Sequence, residues 1–263
     1  MNSTFKIMKY SFMDMLRSKW SIIYILFFMA STFFLLYFSN NLSKAIISLM
    51  NVVLTIVPLI SVMMGVVYYY NSLEFAELLL AQPLKRSSVF LGQYLGLALS
   101  LSLSFIIGLG VPFLVYGLLV SGEITDFLTV IMAGTFLTFI FIGIAYFATM
   151  INNDRIKGFG LAIFIWLFMA VIYDGLFLLI MIYFKDYPLE KLAVVLSLFN
   201  PIDLSRILIM LKLDIAALLG YTGAVFKNFF GTGFGLSFTT TVLFFWIFLP
   251  IGLMLNALRK KDF

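Results

Sequence analysis

Few residues in this 263-residue chain are equipped for chemistry. Histidine and cysteine are both absent. That excludes imidazole proton relays, thiol nucleophiles, disulfides and thiolate zinc sites. Among the acidic residues, Glu74 and Glu77 fall on one helix face between two apolar runs. Their spacing suits a structural or interfacial role better than catalysis. Asp174 stands in Val-Ile-Tyr-Asp-Gly-Leu-Phe, inside a stretch apolar enough to cross a bilayer. An intramembrane carboxylate is costly, and is a functional candidate for that reason. Hydrogen bonding or gating, substrate contact and proton coupling are its open uses. The lack of a basic or imidazole relay weighs against the last. The 14 methionines offer soft thioethers that suit Cu(I). No Met-x-x-Met repeat occurs, and Met63 and Met64 point to different helix faces, so methionine reads as apolar filler. No Gly-x-x-x-x-Gly-Lys-Ser/Thr phosphate loop is present, and the glycine-rich run at 231–235 reads as a flexible turn. No catalytic residue, metal ligand or cofactor is assigned to this chain. If it moves anything actively, the energy comes from an ion gradient or from a separate ATPase.

Composition decides what must position these residues. The chain is 63% hydrophobic and 11% charged, with a net charge of +5. Several runs exceed the roughly 18–20 apolar residues needed to cross a hydrocarbon core. A single all-α membrane domain over residues 1–263 is the expectation. The modest positive charge fits a membrane face and gives no reason to invoke nucleic acid. The leading residues hold Lys6, Lys9, Arg17 and Lys19 before a run long enough to span, so they do not read as a cleaved signal peptide.

Residues 1–19 are expected to form an interfacial amphipathic helix, with Phe5, Met8, Phe12 and Met15 on one face. Six spans follow by hydropathy, at about 20–38, 46–70, 93–119, 127–150, 158–184 and 238–258. The N-terminal segment, the 71–92 and 151–157 loops and the tail together hold 11 Lys and Arg, against Lys44 alone in the two short loops at the other end. Both termini are therefore expected in the cytoplasm. The 71–92 loop reads as a short helix from Glu74 to Gln82, a stop at Pro83 and a basic turn at Lys85 and Arg86. Acidic residues at its start and basic residues past its end suit the helix dipole.

The 185–237 segment reads as an extracytoplasmic subdomain resting on the membrane with its helices partly inserted. Asn200-Pro201-Ile202-Asp203 is a helix start, with Asn as cap, Pro in the first turn and Asp behind it. The helix is expected to run to Leu219 and to stop at Gly220. Arg206, Lys212 and Asp214 argue against a seventh span, as does parity with the basic tail.

The stretch Glu77-Leu-Leu-Leu-Ala-Gln-Pro-Leu-Lys-Arg86, after two spans and before Gly92-Gln-Tyr-Leu-Gly96, resembles the permeases of ABC-2 (type V exporter-like) transporters. That resemblance covers essentially the whole chain. It implies a cytoplasmic coupling helix between spans two and three, an extracytoplasmic helical excursion before span six, and no ATPase site in the chain itself. Phe199-Asn-Pro-Ile-Asp-Leu-Ser-Arg-Ile-Leu, followed by Leu213-Asp-Ile-Ala-Ala-Leu-Leu-Gly-Tyr-Thr-Gly-Ala-Val-Phe226, is similar to the permeases of nitrous-oxide-reductase maturation transporters. The resemblance implies a second copy of the chain, two cytoplasmic ATPase subunits carrying ATP and Mg, and a periplasmic β-helical partner that serves assembly of a copper–sulfur centre. On that reading Glu74, Phe75, Glu77, Leu78, Leu79, Lys85 and Arg86 couple to the ATPase. Asn200, Pro201, Asp203, Arg206 and Tyr221 contact the periplasmic partner. A generic exporter permease for lipid, drug or ion, a scaffold without a transport path, and an ion-coupled transporter are the alternatives.

Overall fold

The computed structural model describes residues 3–39, 41–184, 189–213 and 233–260. Eleven α-helices run through the described residues, which contain no strand. They are α1 (Ser3–Leu16), α2 (Lys19–Ser39), α3 (Leu42–Asn71), α4 (Leu73–Leu80), α5 (Arg86–Val115), α6 (Ile124–Ile151), α7 (Arg155–Leu167), α8 (Tyr173–Tyr183), α9 (Leu189–Leu198), α10 (Pro201–Lys212) and α11 (Gly233–Lys260). A π turn (Phe168–Ile172) joins α7 to α8 without a break. The helices α2, α3, α5, α6, α7–α8 and α11 are each long and apolar enough to cross a membrane. The chain is an all-α membrane protein with six such helices, as the hydropathy predicts.

The third span is displaced most from expectation. The third long helix starts at Arg86 and ends at Val115, earlier at both ends than 93–119. Gly117 takes a left-handed φ of 84° and turns the chain into a short 3₁₀ segment (Leu118–Val120). Glycine pays no Cβ penalty for that φ, so the turn forms despite its apolar flanks. Lys85 and Arg86 are thus the N-cap and first residue of α5, rather than a free basic turn.

The core is organised around α5 and α6. Helix α6 packs on α3, α5, α7, α10 and α11, while α1 and α2 lie along α5. Close helix approach is built on small residues, as membrane bundles require when lipid competes with side chains for contact. A Cβ on Gly65 would lie 2.6 Å from the Ala145 Cβ, fixing α3 against α6. A Cβ on Gly96 would lie 2.6 Å from the Met8 carbonyl oxygen, and one on Gly92 2.8 Å from the Ile7 Cβ. Helix α1 is therefore seated backbone-to-backbone on α5, burying Ile7, Ser11 and Met15. Packing against the two glycines sets the rotation of α1: of the expected apolar face, Met15 is buried, Met8 and Phe12 are half-buried, and Phe5 is exposed.

Candidate functional site

Two groups of polar residues stand out, near one end of the bundle and midway along it. At the end that carries α4, the helix lies across the start of α5. Ala76 is fully buried, and Leu73, Leu79 and Leu80 pack partly against the core. Glu74, Phe75, Glu77 and Leu78 face away from it, with Leu78 70% exposed. Of the apolar trio Phe75, Leu78 and Leu79, the first two are thus displayed and Leu79 supports the helix from beneath. Glu74 in the first turn favours the positive end of the helix dipole.

Neighbouring elements extend this face. The Tyr10 ring of α1 stacks on Phe75 at 5.1 Å between centroids. A cleft of about 320 Å³ opens between α1, α3 and α4, lined by Tyr10, Asp14, Trp20, Tyr68, Asn71 and Phe75 among others. A second, of about 330 Å³, brings Glu77 and Arg86 to one wall with Leu84. The Tyr70 hydroxyl donates to the carbonyls of Asn152 (2.9 Å) and Asp154 (3.1 Å), which ties the turn between α6 and α7 to the end of α3. Asp154 caps α7 by accepting from the Ile156 amide at 2.8 Å. This end therefore collects α1, α4 and the 152–157 turn, and with them Lys85, Arg86, Arg155 and Lys157.

The second group lies deep along the fifth and sixth long helices. Asn200 is the cap of α10: its Oδ1 accepts from the Ile202 amide at 3.0 Å, as the Asn-Pro-x-Asp pattern predicts. Its Nδ2 donates to Asp203 Oδ2 (3.0 Å) and to the Met169 carbonyl (2.8 Å). Met169 sits in the π turn, a wider turn in which the normal carbonyl ladder is broken. It lies midway between Arg155 and Tyr183, about 20 Å from either end at the helical rise per residue. Trp246, midway along α11, donates its indole N–H to the Leu198 carbonyl at 3.0 Å, and the Tyr173 hydroxyl donates to the Leu196 carbonyl. The α9–α10 turn is thus held at the mid-length of two spans. It does not rest on their ends, which is compatible with the expected partial insertion of this segment's helices.

Arg206 completes this cluster. Its Nη1 donates to Asp203 Oδ1 at 2.9 Å and to Asp174 Oδ2 at 3.0 Å. Asp174, isolated by sequence spacing, is one carboxylate of a three-residue ion cluster that joins α8 to α10. Burial pushes the Asp203 carboxyl up from 3.8 to about 7, outweighing the attraction of Arg206. Arg206 cannot fully offset that burial because it is shared with Asp174. Such a cluster can clamp two helices or change their pairing on protonation. Arg206 was legible as a charge in an apolar segment, but its partner was not, since 32 residues separate the two. Pro201 is buried in the first turn of α10. Helix α10 ends at Lys212, while the expected continuation to Leu219, the stop at Gly220 and Tyr221 lie outside the described residues.

Six apolar spans, a short helix displayed between the second and third, and two further helices before the sixth define a polytopic membrane protein. No protein-family model matches the chain. It is 26% identical over 180 residues to the "Probable ABC transporter permease protein NosY" of Stutzerimonas stutzeri, over 64% of this chain and 64% of that protein's length. It is 25% identical over 193 residues to the protein of the same name from Pseudomonas aeruginosa, over 68% of this chain and 67% of the relative. The chain is thus similar to ABC transporter permeases, and it spans somewhat less than two thirds of the first of these relatives.

Proposed function

We propose that the chain is the membrane permease subunit of an ABC transporter in the bacterial inner membrane, with no catalytic site of its own. Two copies pair with two cytoplasmic ATPase subunits, which bind ATP and Mg. More narrowly, the complex serves assembly of the copper–sulfur centre of nitrous oxide reductase, by transport or by transmitted force, together with a periplasmic β-helical partner. The observation that carries the reading is the outward face of α4, where Glu74, Phe75, Glu77 and Leu78 stand exposed on a buried Ala76. Such a face, fixed to the bundle but pointing away from it, is suited to receive a push from a soluble partner. The two NosY relatives and the Asn200–Arg206 motif support the narrower assignment. The excess of Lys and Arg at the α4 end supports cytoplasmic termini.

Detergent co-purification tests this reading. The tagged chain should bring down an ABC ATPase and a β-helical periplasmic protein, and ATP hydrolysis should appear only with the ATPase present. Recovery of the ATPase without the β-helical partner would favour a generic exporter. Recovery of neither would overturn the permease assignment.

A further inference from the structure

At the end opposite α4, a groove of about 580 Å³ opens between α6, α10 and α11. Its walls include Met132, Leu208, Leu236 and Phe244, together with a row of hydroxyls from Thr129, Thr240 and Thr241. Those three hydroxyls donate back to the carbonyls of Thr125, Leu236 and Ser237 on their own helices. They keep acceptor capacity and have no donor to spare. Lys212, exposed in the last turn of α10, closes one side of the mouth. Asp126 lies one turn before Thr129 on α6; it accepts from the Thr125 hydroxyl at 3.3 Å and has the Glu123 carboxyl beside it, with Lys212 also within electrostatic reach. Glu123, just before α6, is engaged by the Ser43 hydroxyl at 2.7 Å. Below the mouth, the exposed rings of Phe244 and Phe248 continue the apolar wall along α11, 5.3 Å apart between centroids.

We propose that this groove binds one phospholipid whose headgroup carries both a phosphate and a primary ammonium. Both long helices that flank the groove are membrane spans, so its open side faces hydrocarbon. Its mouth lies within about three turns of their outer ends, near headgroup depth. Lys212 supplies the cation for the phosphate. Asp126 supplies the anion for the ammonium, and acceptor hydroxyls lie directly beneath. A purely anionic headgroup would add a further negative charge beside Asp126 and Glu123. A quaternary ammonium would bring no N–H to either acceptor. The acyl chains then run along Met132, Phe244 and Phe248. The assignment rests on the six-span reading and is independent of any transport cycle.

The test uses the full-length protein in detergent, delipidated, then offered phosphatidylethanolamine, phosphatidylglycerol or phosphatidylcholine with identical acyl chains. Native mass spectrometry reads the retained adduct. Phosphatidylethanolamine should be retained roughly fivefold more than either other lipid, the size expected of one partly exposed ion pair. Lys212→Gln should lower its retention by a similar factor, and Asp126→Asn should bring it down to the phosphatidylglycerol level. The chain has no native cysteine, so a Thr241→Cys variant gives a second reading. Its alkylation by a lipid-soluble maleimide should slow on adding phosphatidylethanolamine and not phosphatidylcholine. Equal retention of the three lipids, or retention unchanged in both charge variants, would overturn the proposal. So would a Thr241→Cys that resists alkylation without lipid, which would show that the groove is closed to lipid.

Discussion

Helix α6 and the α7–α8 span have nearly the same length and are both strongly apolar, yet they are used in opposite ways. Inside the protein, 67% of the apolar stretch of α6 is buried, against none of the corresponding stretch of α7–α8. On α6, Gly134 and Gly143 sit against Phe105 and Pro250, with no room for a Cβ. On α7–α8, Gly158 abuts the Tyr70 ring at the α4 end, but Gly160 and Gly175 farther along meet nothing within 4 Å. Hydrophobicity assigns a segment to the bilayer but does not say whether lipid or protein faces it. Small residues at close approach mark the protein-facing helix, and they do so only once the partner helix is known. The exposed row of Phe164, Leu167, Val171, Leu178 and Leu179 is where the proposed second copy would find an apolar surface.

The sharpest way to break this contrast is to fill glycines on both sides of it. Gly65→Leu forces a side chain into α6 at Ala145 and should cost at least about 3 kcal/mol, the upper range for overpacking. Folded protein should be largely lost in size-exclusion chromatography. Gly175→Leu should leave the monomer's thermal unfolding temperature unchanged within error. If it also lowers the dimer fraction in detergent, the second copy sits on α7–α8. Equal damage from both substitutions would show that the fifth span is buried by this chain after all.

The next effect in size tests how the exposed span is held to α10. Arg206→Leu leaves Asp203 and Asp174 without their shared cation. Because the Arg206 side chain is 31% exposed and that of Asp174 36%, the loss should be about 2 kcal/mol, below the range for a fully buried pair. Asp174→Asn keeps an acceptor for Arg206 and should cost less than half as much in the same unfolding assay. If the Asn variant costs as much as Arg206→Leu, the charge on Asp174 matters more than its hydrogen bond.

The same cluster carries a pH signature with a definite sign. Asp203 binds its proton more tightly folded than unfolded, with a carboxyl raised from 3.8 to about 7. Between those values the native state holds more protons, so stability should fall as pH rises from about 4 to about 7 and level off above. Asp203→Asn should flatten that part of the profile. A wild-type profile that rises over the same interval would mean that Arg206 holds Asp203 ionised.

Much of the fold was legible because it rests on local or one-dimensional signals. Run length marked six spans, and Asn200-Pro201 marked the start of α10. Charge placement pointed to one end as the basic one. What escaped depends on partners far along the chain. The rotation of α1 follows from Gly92 and Gly96, which bring Ile7 and Ser11 against α5, and periodicity alone does not give that seat. The pairing of Asp174 with Arg206 and the seating of Asn200 on Met169 both need the α9–α10 turn to enter the bundle. The charge of Arg206 argued against a further span, but spacing does not reveal that Asp203 and Asp174 both pair with it. On α4 the opposite holds: eight residues with one buried alanine show most of their face to the reader, and only the inward turn of Leu79 needed the structure.

That small difference between Leu78 and Leu79 supports the finest test of what is held inside and what is offered outside. Leu78 is exposed and touches little, so Leu78→Asp should change stability by less than about 0.5 kcal/mol. Leu79 packs partly on the core, and Leu79→Asp places a charge against apolar neighbours, so it should cost about 1–3 kcal/mol. If the α4 face receives the ATPase, Leu78→Asp should nevertheless weaken co-purification of that subunit at least tenfold, because the same carboxylate is desolvated when the partner docks. A variant that folds normally and loses its partner separates docking from folding, which Leu79→Asp cannot do. Normal recovery of the ATPase by Leu78→Asp would move the docking surface away from α4, towards the Tyr10 side of α1 or the turn at Asn152–Asp154.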